Sequence, residues 1–464
     1  MSLTTADLAQ QTGSDAASRW RLGFGEARAL LRLAAPIALI ALVNMGMSVT
    51  DTVMVSILFG TDALAAVAIG SDFYSIVFYL CAGILAGISP FYTAAVTRAD
   101  ERERVRITRI GWAIVGLLAV LSAPLVWTAP NWLENLGLER GLLQAGSGYT
   151  RAMALTLVPM LGVMLYRTIL TAAEKPKVFL KVTLAMLPLN ALANYAFMLG
   201  IGPLPASGPT GAGIASLLVA LASLGALAII ARYATGGNAA RIKSPFDWRG
   251  LGSVLRIGLP IGIATVTELG IYLGATLYAA TLGAADVAAH TLTLRTAGIA
   301  YAVPAALLQA AMVRMARAES LRDAQHRRTS GKAVIAGSLG LALVCGGIIL
   351  AILLFAATPL ANIFFDASPA GMAAAWLAGG LLMLLGCIEC VACPGLAASG
   401  ILRGCKDTRA PMTYTLFGYW GIGAPLGIFL CEGLDTGITG IWLGLAAGTL
   451  ATAILTLNRL RRRP

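Results

Sequence analysis

Twelve times along this chain an apolar segment recurs that is long enough to cross a bilayer, and each is closed by a short polar loop. The segments run at about 29–58, 63–96, 108–130, 141–173, 178–201, 210–233, 250–282, 286–316, 332–358, 371–402, 409–431 and 435–458. About 20 apolar residues suffice for about 30 Å of hydrocarbon, so the repetition restricts the chain to an all-α membrane protein. Composition agrees. Charged residues make up 12% of the chain and mean hydropathy is +0.79, whereas charged residues alone account for about 25% of an ordinary soluble domain.

The net charge of +12 does not call for nucleic acid, because of where the cations fall. All but Arg140, Arg151 and Arg295 of the 34 Lys and Arg sit in the tails, in every second loop or at the span ends beside it. Basic residues mark the cytoplasmic side, so both termini are expected inside a bacterial-type inner membrane. Residues 1–18 are polar and lack the charged and apolar regions of a secretory signal. Residues 1–28 therefore read as a cytoplasmic tail.

The chain repeats itself. LRLAAPI from Leu31 matches LRIGLPI from Leu255, ALAAVAI from Ala63 falls on DVAAHTL from Asp286, and ILTAAEKPK from Ile169 on ILRGCKDTR from Ile401. The expected organisation is a six-helix half at 29–234, a basic linker at 235–249 and a second six-helix half at 250–464. Six crossings return the chain to the same side, so the halves are expected to be related by a pseudo-two-fold axis along the membrane normal, with a binding cavity between them.

A carboxylate at the centre of a membrane helix costs roughly 2.5–3.5 kcal/mol and normally faces a protein interior or an ion path. Few acids lie away from loops and span ends: Asp51, Asp72, Glu268 and Glu389. Asp51, with Asn190 and Asn194 four apart on one helix face, offers a carboxylate and two amide oxygens for a proton or a small cation. The two Asn can alternatively serve only to join helices. Glu268 and Arg295 lie at depths that differ by roughly 9 Å, so a buried ion pair is expected there, the alternative being Glu268 as a cation or substrate ligand. Asp72 can line a cavity or reach the interface. Tyr74, with Phe78 and Tyr79, shares a face that can stack an organic cation or pack against a neighbouring helix. Glu389 is expected to face the interior rather than lipid. His290, near a helix end, reads as a satisfied polar residue. Pro36, Pro188, Pro260, Pro304 and Pro394 interrupt spans and are expected to weaken them.

Other chemistry is poorly served. Cys387, Cys390 and Cys393 form a CxxCxxC run with no fourth ligand beside it. With only His290 and His326 in the chain, neither a zinc-protease signature nor a triad is present, and no enzymatic activity, cofactor or metal is expected.

Taken in order, Pro36 with DTVMV ending at Val55, LAAVAIG from Leu64, NALANYAFMLGIGPLPASGPTGAGIAS from Asn190, GLPIGIATVTELG from Gly258, AAH ending at His290, Pro304 and GILRGCKDT from Gly400 resemble the multidrug and toxic compound extrusion (MATE) family, most like its NorM-type branch. The resemblance implies an antiporter that exports amphipathic, often cationic compounds in exchange for H⁺ or Na⁺. It places the family's first-helix Asp on Asp51, its fifth-helix Asn on Asn190 and its seventh-helix Glu on Glu268. The chain departs in having Asn194 where some relatives have Asp, Ala392 where NorM-type members have an Asp (with Glu389 one turn earlier), and Arg295 at an uncharged position. The alternative is a flippase of lipid-linked precursors from the same superfamily. The expected partners are small amphipathic substrates and the lipid bilayer, with the chain acting as a monomer.

Overall fold

The computed structural model describes residues 5–135, 140–201, 205–234, 246–366 and 368–462. Most of the expected linker 235–249 lies outside them. Twelve helices of the described chain are long and apolar enough to span. They are α1 (Gly23–Gly60), α2 (Asp62–Thr97), α3 (Glu101–Trp127), α4 (Arg140–Ala172), α5 (Pro176–Leu199) and α6 (Thr210–Arg232), followed by α7 (Trp248–Ala279), α8 (Ala284–Glu319), α9 (Ala324–Phe364), α10 (Pro369–Gly404), α11 (Arg409–Gly433) and α12 (Ile438–Arg461). Every expected segment is one of these. Helix continues through Pro36, Pro188, Pro260, Pro304 and Pro394. The break between α1 and α2 falls at Gly60, whose φ of +83° is a conformation that costs an L-residue with a side chain and costs glycine little.

The outward surface explains why such a chain needs lipid. On α9, Val344, Ile348, Ile352 and Phe355 recur at helical spacing and are all more than half exposed, Phe355 to 84%. An apolar stripe of that kind is stable against acyl chains and not against water.

Contacts divide the chain into two units, Leu39–Val266 and Met1–Ala38 with Thr267–Pro464. The division differs from six-helix halves at 29–234 and 250–464, because α1 and α7 are each shared. The reason lies in side-chain size. In the first unit, Gly83 and Gly87 of α2 meet Gly262 and Gly258 of α7 so closely that a Cβ on Gly83 would stand 2.5 Å from Gly262 Cα, and one on Gly87 2.6 Å from Gly258 Cα. Apolar lipid gives helices no hydrophobic reason to associate, so such small-residue crossings supply dispersion contact instead. Arg106 of α3 adds an ion pair to Asp247 at 2.6 Å, and Asp247 also accepts from Gly250 N–H at 2.9 Å, capping the start of α7.

The second unit treats the start of α1 in the same way. Leu30, Leu33, Ala34 and Ile37 are buried with Ala306, Leu307, Ala310 and Val313 of α8 and with Ala397 and Ile401 of α10. Arg314 holds Glu26 through Nε at 3.0 Å and Nη2 at 2.7 Å. The start of α7 packs on α2 and the start of α1 on α8, so the sequence repeat reappears as a repeated packing pattern.

Replacing Gly258 and Gly262 by Leu places side chains where Ile84 and Leu80 carbonyls already stand. Each substitution is expected to lower the yield of monodisperse, detergent-solubilised protein several-fold, since overpacking of this kind costs about 1–3 kcal/mol or more. Leu at Gly252, with no heavy atom within 4 Å of its Cβ position, is expected to leave the yield unchanged. Size-exclusion profiles of the three variants measure this.

Candidate functional site

Among the described residues, each unit holds a cluster of polar groups around a carboxylate inside the span region. In the first, Asp51 projects from α1 toward α5. Thr50 and Thr52 on either side satisfy their hydroxyls on the backbone carbonyls of Gly46 and Ser48. Asn194 Nδ2 donates to Asp51 Oδ1 at 2.5 Å, and Asn190, one turn away on α5, lies near the same carboxylate. Asn190 and Asn194 are 2% and 0% exposed, and their Oδ1 atoms have no hydrogen-bond partner. An amide oxygen buried without a donor is costly. Both oxygens are therefore set for a donor or cation brought from outside, beside a carboxylate that supplies the charge. That oxygen-only donor set suits a hard monovalent ion or a protonated carboxyl.

Two further groups complete this surrounding. Tyr149 of α4, 6% exposed, lies within electrostatic reach of Asp51 and Asp72 and close to Ser71. Asp72 itself is exposed. Tyr74 is 7% exposed and stacked on Phe78 with ring centroids 5.7 Å apart. It belongs to the apolar core of the first unit, so it packs rather than lines a cavity. Of the aromatic face expected there, Tyr79 is the exposed member.

In the second unit, Glu268 of α7 accepts from Tyr301 Oη of α8 at 3.2 Å. Arg403 of α10 and Glu389 of the same helix act on it electrostatically. Glu389 is 4% exposed and its Oε2 has no hydrogen-bond partner. The π-helical turns Phe417–Gly423 and Phe429–Gly433 widen α11. Within the first, Trp420 Nε1 donates to Thr267 O at 3.1 Å, and Tyr419 Oη receives the Thr449 hydroxyl at 3.3 Å. Wide turns of this type recur at functional sites.

The expected Glu268–Arg295 pair does not form. Arg295 is exposed on α8, whereas the cation within electrostatic reach of Glu268 is Arg403. Residues at similar depth on neighbouring helices meet only if the packing turns their faces together. Arg403 is one of the span-end cations, one residue from the end of α10. The available signal was direction: Cα–Cβ bonds tilt toward the helix N-terminus, which carries an Arg at the end of α10 back into the span. Arg167, five residues before the end of α4, has its Nη1 4.0 Å from Met164 Sδ one turn earlier.

His290 is satisfied, as expected. Trp442 Nε1 donates to its Nδ1 at 3.2 Å, which leaves Nε2 protonated and 3.0 Å from the Thr276 hydroxyl.

A family model described as MatE matches residues 36–196 and 260–429, one match in each half and each beginning at the first proline of its half. The chain is 33% identical over 439 residues to "Multidrug resistance protein NorM" of Burkholderia vietnamiensis, covering 91% of both. Its fold is that of a eukaryotic MATE transporter, AtDTX14, at TM-score 0.83, 18% identity and 96% and 97% coverage. A MATE structure in the bent conformation superposes at TM-score 0.80 and 18% identity, over 95% of this chain and 96% of that one.

Arg295→Gln is expected to shift Tm by no more than about 1–2 °C, as for other exposed substitutions. A thermal-shift assay on the purified protein checks it. A loss of folded protein would restore the pair that the geometry denies.

Proposed function

Because this chain belongs to the MatE family, we propose that its multidrug efflux activity is antiport: H⁺ or Na⁺ enters while amphipathic, mainly cationic compounds leave by alternating access. The chain is a twelve-span membrane transporter of NorM type. The reading adds a coupling ion, a substrate class, an inner-membrane location with cytoplasmic termini, and Asp51 as the residue where coupling occurs.

The observation that carries it is the Asp51–Asn194 contact with two unpartnered amide oxygens. A charge in a low-dielectric interior is neutralised by a proton or a bound ion more readily than it is left bare. An anionic Asp51 can thus exchange one positive charge for another, and a cationic solute competes with the coupling ion for the same field. The two then bind in turn rather than together, which is the condition for exchange. Glu268 is the corresponding acid of the second unit, held by Tyr301.

Efflux of an ethidium-like cation from proteoliposomes, under an imposed proton or sodium gradient, tests this. Wild type is expected to respond to one gradient. Asp51→Asn is expected to lose gradient-driven flux by 100-fold or more while folding normally, the amide being isosteric, and Glu268→Gln to retain part of it. Flux that is equal in wild type and Asp51→Asn would remove Asp51 from coupling. The absence of gradient-driven cation flux in correctly inserted wild type would favour the lipid-precursor reading.

A further inference from the structure

In the first unit, the start of α3 at Glu101 and the start of α7 at Trp248 lie on the side that carries the basic loop after α2, with Arg98 and Arg102. Between them is a cavity of about 330 Å³, at the lower end of the range for small-molecule sites, about 300–1,000 Å³. Neither Asp51 nor its asparagine partners line it. Its floor is apolar: Ile107, Ile110 and Val254 are each 2% exposed and meet Phe91 there. Its rim is charged. Arg106 is shared between two carboxylates, with Nη2 2.5 Å from Glu103 Oε1 and Nη1 2.6 Å from Asp247 Oδ2. One cation between two anions leaves a negative charge on that part of the rim, and Arg249, exposed and outside the triad, brings a positive one.

A rim with both signs of charge over an apolar floor suits a zwitterionic amphiphile, since a simple anion or cation would meet one repelling partner. Depth points the same way. Phe246 and Trp248 alternate along the chain with the cavity residues Asp247 and Arg249. Their rings meet edge to face with centroids 4.7 Å apart, and they are 40% and 74% exposed. Exposed aromatic rings at a span end settle at the headgroup level of a bilayer, so the cavity beside them opens where headgroups lie. Pockets with basic residues between membrane helices bind lipid headgroups on the basic side. About 330 Å³ holds a headgroup and glycerol while the acyl chains stay outside.

We propose that this cavity seats the headgroup of a phosphoethanolamine lipid, with the phosphodiester on Arg249, the primary ammonium on Glu103 and Asp247, and the glycerol against Phe91, Ile110 and Val254. The ammonium donates through N–H groups that a trimethylated headgroup lacks, and the phosphate is common to both. The site shares no residue with the Asp51 cluster, so it and the antiport reading can fail separately.

The test is native mass spectrometry of delipidated full-length protein in detergent, titrated with three lipids of identical acyl chains that carry phosphoethanolamine, phosphocholine or phosphoglycerol, and with soluble phosphoethanolamine. Wild type is expected to bind the phosphoethanolamine lipid about tenfold more tightly than either other lipid, the worth of one charge-assisted contact. Arg249→Glu is expected to weaken all three lipids by about tenfold, because it removes the shared phosphate contact. Glu103→Gln is expected to abolish the preference over phosphocholine and to leave phosphocholine binding unchanged. Arg322→Glu, which reverses an exposed charge in the connection between α8 and α9, is expected to change nothing. Should Glu103→Gln not fold, the wild-type ranking and Arg249→Glu decide. Equal binding of the three lipids, or an Arg249→Glu variant indistinguishable from Arg322→Glu, would overturn the proposal. Soluble phosphoethanolamine bound as tightly as the lipid would overturn it too, by placing the ligand in solution rather than in the bilayer.

Discussion

The whole arrangement depends on the cost of a charge that lacks water. A carboxylate inside a bilayer has no solvent to spread its field, and it persists only where protein dipoles, a counter-charge or a borrowed ion replace that solvent. The two units meet this constraint with different chemistry. Around Asp51 the replacement is neutral: two asparagine side chains, both buried, one donating through Nδ2 and both leaving an oxygen unpaired. Around Glu268 it includes a tyrosine hydroxyl, with a guanidinium within electrostatic reach. Neutral dipoles leave the site's net charge to be supplied from outside, whereas a guanidinium cancels one charge permanently.

That chemistry requires helices to approach closely and hold their faces in register, with no hydrophobic drive to bring them together. The crossing of α2 on α7 through Gly83, Gly87, Gly258 and Gly262, and of α10 on α8 through Gly400 and Gly404, removes side chains where backbones meet. Contact surface then comes from backbone against backbone, and the polar side chains on the flanking turns are carried to fixed positions. Ion pairs near the helix ends, Arg314 with Glu26 and Arg106 with Asp247, secure the starts of α1 and α7. Both helices therefore begin in one contact unit and finish in the other. A membrane transporter that alternates between conformations needs continuous elements which join separately packed bodies, and these two helices have that character.

Some of this was legible before any coordinates. Span number and position follow from hydropathy because lipid penalises every polar residue in the same way wherever it occurs, so a purely local count suffices. Asp51 with Asn190 and Asn194 was legible as well: an acid and two amides stand out against apolar surroundings, and four-residue spacing on one helix guarantees a shared face. The internal repeat survives as matching strings at Leu31 and Leu255, and it foretold that α1 and α7 would be treated alike.

What only the tertiary structure decided is which faces of different helices meet. Glu268 and Arg295 lie at compatible depths, yet rotation of α8 turns Arg295 outward and offers Tyr301 instead. Arg403 comes within electrostatic reach of Glu268 from α10, whose glycines cross α8 closely. Tyr74 is buried and Tyr79 exposed on a stretch whose sequence makes both equally suited to either place. Hydropathy and spacing act along one helix and are determined by the sequence itself. The rotation of one helix against another is the outcome of packing summed over residues far apart in the chain, and no local pattern contains it.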